Sequence, residues 1–135
     1  MATPIKSEEL PVRSEGDIVL ARQRVRTWAT ELKFTLVDQT KVVTAASEIA
    51  RNTVKYGGGG TLRIEQLADG IRRGLRMVFA DRGPGIANLE QAMRDGFTSG
   101  SGMGMGLGGA KRLVSEFHIE SKLGEGTRVV LTRWK

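Results

Sequence analysis

Glu48 and Asn52 stand four residues apart in Ser47-Glu-Ile-Ala-Arg-Asn52, so a helix would place both on one face. A helix face that only fills a core needs neither residue. Lined against a ligand, the carboxylate could take up a proton and the amide oxygen could ligate Mg2+. Asp81 follows an apolar run and opens Asp81-Arg-Gly-Pro-Gly-Ile86. There it could simply cap a turn. At the floor of a pocket it would instead accept a hydrogen bond from an exocyclic amine such as that of adenine, and repel the carbonyl that guanine presents at the same place. Gly83 and Gly85 would let the backbone pass beneath a flat ring.

A third group of residues suits phosphate. Six of the ten residues from Gly100 to Gly109 are glycine, and the run leads into a helical pattern, Leu107–Phe117. Uncovered N–H groups of such a run, together with those of a following helix, point to a polyanion, a nucleoside triphosphate foremost. A flexible linker and a purely structural turn are the bland alternatives. Met103, Met105 and Leu107 alternate with the glycines, which a Gly/Ser linker would not show.

Two better-known phosphate motifs fail here. Gly104-Met-Gly-Leu-Gly-Gly109 matches G-x-G-x-x-G by letter, but Asp95-Gly-Phe-Thr-Ser-Gly-Ser101 precedes it where a dinucleotide fold requires a buried strand. No Gly-Lys-Ser/Thr follows the run, which excludes a Walker loop.

These residues need a scaffold, and 135 residues suffice for one compact domain with a real core. Cysteine is absent, so disulfide and thiol chemistry are excluded, and the one histidine, His118, rules out a His-rich metal site. His118 falls in an expected strand, where a core or edge histidine is the default reading. The net charge is +6, with Arg22, Arg24 and Arg26 spread over a helix surface as a solvated face or a dock for an acidic protein. Aromatic residues make up 5% and do not interleave with the basic ones, which argues against nucleic acid. No membrane span or secretory apolar segment is present, so a cytoplasmic protein with no membrane partner is expected.

Periodicity lays out the elements. Residues 1–11 read as a loose arm, and residues 12–135 as the domain. A short strand is expected at Val12–Ser14, then a helix from Asp17 carrying Ile18, Ala21, Val25, Trp28, Ala29 and Leu32. A second helix opens at Thr35-Leu-Val-Asp38 and stops at Gly57–Gly60. Thr61–Leu67 and Leu75–Ala80 alternate as a hairpin, followed by a short helix near Leu89–Arg94, the helix Leu107–Phe117, and strands His118–Leu123 and Thr127–Arg133. The expected class is α+β, a two-layer α/β sandwich with three main helices on one face of a mixed sheet.

In this order, Glu-x-x-x-Asn on a helix, Asp-x-Gly-x-Gly after a strand, a glycine-rich helix start and then Gly-Thr resemble the GHKL ATP-binding superfamily, whose domain is the Bergerat fold. The resemblance spans about residues 12 to 134 and implies ATP and Mg2+ as cofactors. It implies Glu48 as general base, Asn52 as Mg2+ ligand, and Asp81, with Gly83, Gly85 and Ile86, at adenine. Gly102, Met103, Gly104, Met105, Gly106, Leu107 and Gly108 would close over the phosphates, and Thr127 would support Asp81. Asn52-Thr-Val-Lys-Tyr56 is similar to the continuation of the box in histidine kinases, which implies Lys55 at phosphate and Tyr56 beside the base.

Within the superfamily, no phosphoacceptor hairpin or transducer domain is expected in this length, and Glu48 suits a hydroxyl acceptor, which benefits from a base. Ser47–Asn52, Asp95–Ser99 and Gly106–Phe117 look most like the small switch kinases of stressosome modules. Anti-sigma-factor kinases are the near rival, but they carry an Arg where this chain has Gly100 and Ser101. Lys55 and Arg82 are then the cations open for the transferred phosphoryl group. The resemblance implies phosphorylation of a serine or threonine on a STAS-domain antagonist, then binding and activation of a PP2C-type phosphatase. A lid near Ala87–Ser101 would couple nucleotide to partner affinity. Direct binding of a sigma factor, a non-catalytic ATP-dependent switch and a homodimer stay open.

Overall fold

The computed structural model describes residues 2–93 and 106–135, and the structural statements below concern those residues. Strand β1 (Thr3–Val12) precedes helices α1 (Glu15–Glu31) and α2 (Leu36–Lys55). A hairpin of β2 (Gly60–Asp69) and β3 (Arg72–Asp81) follows, then the short helices α3 (Leu89–Ala92) and α4 (Gly106–Arg112). A second hairpin, β4 (Glu116–Lys122) and β5 (Gly126–Trp134), ends the chain. One five-stranded sheet results, in the order β1-β2-β3-β5-β4. The expected α+β, two-layer class holds.

The sheet is antiparallel throughout rather than mixed. Between β1 and β2 the chain runs down one helix and back up another. It re-enters the sheet at the end of β1 that it left, Val12 opposite Gly60, so β2 runs back along β1. The crossover through α4 does make β4 parallel to β3, but β5 lies between them and opposes both.

The arm expected over residues 1–11 is instead most of edge strand β1. Pro4 and Pro11 both lie in this strand because an edge tolerates proline, and the register shifts just after Pro4. Helix α1 accordingly starts earlier than expected. Ser14 Oγ accepts from Asp17 N–H at 3.2 Å while Asp17 Oδ2 accepts from Arg13 N–H at 2.9 Å, a reciprocal cap with Ser14 at the N-cap. At α2, Thr35 Oγ1 accepts from Asp38 N–H at 3.1 Å, and the Asp38 carboxylate turns to Arg133 at 2.7 Å. Helix α4 stops at Arg112 rather than Phe117, because Phe117, Ile119 and Ser121 alternate inward with a period of two from Glu116 on.

One core lies between the layers. Leu62 and Ile64 of β2, Leu75, Met77 and Phe79 of β3, and Val129 and Leu131 of β5 meet Val25, Trp28, Val42, Ala46 and Ile49 of α1 and α2. Each large side chain buried there contributes about 1.5–3 kcal/mol relative to exposure. Leu107 and Ala110 extend the same core to α4, which fixes the start of that helix against α2. The edge strand is tied down by Glu8, whose carboxylate accepts from Arg24 Nη2 at 2.7 Å and from Trp28 Nε1 at 2.8 Å. The hydrogen bonds from Arg24 first, and from Trp28, hold the Glu8 carboxyl below its ordinary range. No helix among the described residues is long and apolar enough to cross a membrane.

Candidate functional site

A cavity of about 320 Å³ opens between α2, the ends of β3 and β5, and the start of α4. That volume is within the range of small-molecule sites. Its walls are largely apolar, from Ile49, Phe79, Ile86, Leu107 and Val129, and among the described residues Asp81 is the one carboxylate that lines it.

Asp81 ends β3, opposite Gly60 of β2 and Thr127 of β5. Its Oδ1 accepts from Gly83 N–H at 2.9 Å and from Thr127 N–H at 3.3 Å. The turn-capping role and the pocket role therefore coexist. Oδ2 accepts no hydrogen bond from any described residue, which leaves it available to a ligand N–H. Thr127 Oγ1 lies 2.8 Å from Ser121 Oγ, which accepts from Ile86 N–H at 2.8 Å. A hydrogen-bonded chain thus runs from Ile86 through Ser121 and Thr127 to Asp81.

The glycines here are dictated by contact. A Cβ on Gly57 would fall 2.4 Å from the Asp81 carboxylate, and one on Gly83 would fall 2.7 Å from Gly57 Cα. Gly85 has φ +80° and would drive a Cβ to within 2.3 Å of the Lys122 carbonyl oxygen. Backbone packed this closely leaves no side chain between Asp81 and the cavity.

At the other end, Glu48 and Asn52 lie one turn apart on α2, as their spacing requires. Glu48 is 12% exposed. Its Oε1 accepts from Arg51 Nη1 at 2.9 Å, and its Oε2 accepts from the N–H of Gly106 at 3.3 Å. Gly106 opens α4 with φ +67°. The Asn52 amide lines the cavity with no partner among the described residues, so its oxygen is free for a hard cation. Among those residues no three His, Cys, Asp or Glu side chains converge, so protein carboxylates alone do not build a metal cage.

Asn52, Tyr56, Asp81, Gly85, Ile86, Gly106, Leu107 and Thr127 all line this one cavity. Glu48 stands beside its Gly106 end. Gly83 packs behind Asp81, and Gly108 is buried within α4; neither lines the cavity. The Lys55 ammonium lies 5.4 Å from the centroid of the Tyr56 ring, on the rim. Arg82 faces a separate groove. Gly102, Met103, Gly104, Met105 and most of the lid expected at Ala87–Ser101 lie outside the described residues. His118 is exposed on edge strand β4, 2.9 Å from Glu120 Oε1 and away from the cavity.

Sequence reasoning missed Gly57, Ser121 and Arg51. Gly57 read only as the end of a helix, although four consecutive glycines exceed what a helix stop needs. Ser121 could have been found from the Gly124-Glu-Gly126 turn, which pairs it with Thr127. Arg51 stands three residues from Glu48, the spacing of a helical ion pair.

The family model for histidine kinase-, DNA gyrase B- and HSP90-like ATPases matches residues 37–135, which include Glu48, Asn52, Asp81 and Thr127. The chain is 46% identical over 123 residues to serine/threonine-protein kinase RsbT of Bacillus subtilis, covering 91% of this chain and 92% of that protein. It is 31% identical over 119 residues to an anti-sigma F factor of Clostridium kluyveri, covering 84% and 82%. In fold it is similar to a crystal structure of the RsbU and RsbW domains of Rv1364c from Mycobacterium tuberculosis. The TM-score there is 0.67 at 24% identity, over 98% of this chain and 34% of that one. The chain belongs to the histidine kinase-, DNA gyrase B- and HSP90-like ATPase family, in the branch of small serine/threonine-protein kinases of the RsbT type.

Proposed function

We propose that the chain transfers the terminal phosphoryl group of ATP to a serine or threonine hydroxyl of a STAS-domain antagonist protein in a bacterial partner-switching module. After transfer it binds and activates a PP2C-type phosphatase. The observation that carries the reading is one apolar cavity with the unpartnered Asp81 Oδ2 at one end and the Asn52 amide near Glu48 at the other.

Asp81 accepts an N–H of the adenine amine, and the apolar walls exclude water from the ring. Asn52 would supply an amide oxygen to Mg2+. When bound, Mg2+ held by the Asn52 amide oxygen would supply neutralisation of charge on the transferred group. Glu48 receives the hydroxyl proton as the new O–P bond forms and the bond to ADP breaks, then returns that proton to solvent. Arg51 screens one oxygen of Glu48 and keeps a cation at the mouth of the site. Positioning and charge neutralisation thus account for the proposed catalysis.

The test is intact-mass analysis of a STAS-domain protein from the same genome, after incubation with the chain and Mg-ATP. A gain of about 80 Da, one phosphoryl group, supports the reading, and an unchanged mass removes it. The likeness to an anti-sigma F factor favours a second reading, direct binding of a sigma subunit. Retention of a sigma factor on the immobilised chain, released by the phosphorylatable antagonist, would establish it.

A further inference from the structure

Ser121 breaks the pattern of its own strand. Along β4 the inward positions are Phe117, Ile119 and Ser121, opposite Leu131, Val129 and Thr127 of β5. That phase asks for an apolar strand former at 121, and serine is neither apolar nor a good strand former. Its hydroxyl is committed to three contacts instead. Ser121 Oγ accepts from Ile86 N–H at 2.8 Å, and it lies 2.8 Å from Thr127 Oγ1 and 3.2 Å from the Gly126 carbonyl oxygen.

A hydroxyl has one proton and two lone pairs, which limits how these contacts are shared. The Ile86 N–H takes one lone pair. The Gly126 carbonyl can only accept, so the Ser121 proton goes there. Thr127 then donates to the second lone pair, and this is the one arrangement that makes all three contacts hydrogen bonds. Thr127, which lines the cavity, is left presenting lone pairs and no proton.

Ser121 also fixes a second wall. Two hydrogen bonds among the described residues tie residues 82–86, which bring Gly85 and Ile86 to the cavity, to the β4–β5 hairpin. Gly124 N–H donates to the Pro84 carbonyl at 2.9 Å, backbone to backbone. The other, from Ile86 N–H to Ser121 Oγ, passes through a side chain, so the residue type at 121 decides whether it exists.

We propose that Ser121 is a positioning residue for the base of the nucleotide. One hydroxyl holds the Ile86 backbone and the Thr127 side chain at the spacing and polarity that the ligand meets. This rests on the cavity being the nucleotide site. Walls fixed before binding cost less to order on binding, so the effect falls on affinity. Ser121 acts at the Asp81 end, away from Glu48, and its loss therefore weighs equally on ATP and ADP, which share the base.

The test compares Ser121→Thr with Ser121→Val, whose side chains have one shape and differ by the hydroxyl. Calorimetry with Mg-ATP and with ADP should place Ser121→Thr within about threefold of wild type and Ser121→Val about tenfold weaker for both nucleotides. Ser121→Ala, which adds no bulk, should match Ser121→Val. Without nucleotide, the Ile86 amide followed by NMR should exchange faster in Ser121→Val than in Ser121→Thr. Added to Thr127→Val, which has already lost one partner of the serine, Ser121→Val should cost less than it costs alone. Equal affinities or equal Ile86 exchange in the Thr and Val variants, a loss for ATP that ADP does not share, or full additivity with Thr127→Val overturns the role. Wild type that binds neither nucleotide removes the nucleotide reading itself, whatever the variants do.

Discussion

Asp81 uses one oxygen of its carboxylate to hold the fold and keeps the other without a partner among the described residues. Oδ1 holds Gly83 and Thr127 in place, and Oδ2 lies beside Gly57 in the residue that lines the cavity. Asp81→Asn should therefore weaken ATP binding about 10–100-fold and erode its preference over GTP, measured by calorimetry with each nucleotide. Gly57→Ala adds no charge and removes no ligand group, yet its Cβ would meet the Asp81 carboxylate. The expected outcome is weaker ATP binding together with about 1–3 kcal/mol of lost stability in denaturant unfolding. Unaltered ATP affinity in Gly57→Ala would show that the Asp81 position is not critical. That Asn52, Asp81 and Thr127 meet at one cavity with Glu48 beside it was legible in the sequence, because each position depends on residue type at a fixed local spacing. Gly57 and Ser121 were not, because their roles depend on contacts across 24 and 35 residues, with Asp81 and Ile86, which only the sheet brings together.

At the scale of elements, the two helix starts and the β2–β3 hairpin followed from capping residues and alternation. Strand β1 was missed because its helix-facing side carries the charged Lys6 and Glu8, which break the apolar alternation, and because it holds two prolines, as an edge strand can. What binds β1 to the layer of helices is the cluster of Glu8, Arg24 and Trp28, which no local pattern reveals. Glu8→Gln should cost about 1–2 kcal/mol of stability near neutral pH, since the site is only partly shielded from water. The folded-state pKa of Glu8 is lowered, so its contribution is present above the ordinary glutamate value and is lost as pH falls through the lowered one. The difference between wild type and Glu8→Gln in urea unfolding should therefore shrink on acidification. A difference that stays constant from neutral pH to well below the glutamate range would contradict this account of the clasp.

At the scale of the molecule, one five-stranded sheet and its helices hold the two ends of the cavity at a fixed separation, with Asp81 on β3 and Glu48 on α2. A ligand that spans both should stabilise the whole fold. Mg-ATP at about 100 times its dissociation constant is expected to add about 2.7 kcal/mol, seen as a raised melting temperature. Asp81→Asn should blunt that rise. The fold class was legible because hydrophobic periodicity and turn residues act locally. The sheet's antiparallel order was not, since it depends on how many helices separate successive strands and on where β5 inserts. The central claim is phosphoryl transfer with Glu48 as base. The direct measurement is the single-turnover rate of phosphorylation of the STAS-domain partner by wild type and by Glu48→Gln, each saturated with Mg-ATP. The account predicts that wild type transfers phosphate and that Glu48→Gln binds ATP equally well but transfers about 10²–10⁴-fold more slowly. Equal rates in the two proteins, or no transfer by wild type, would contradict it.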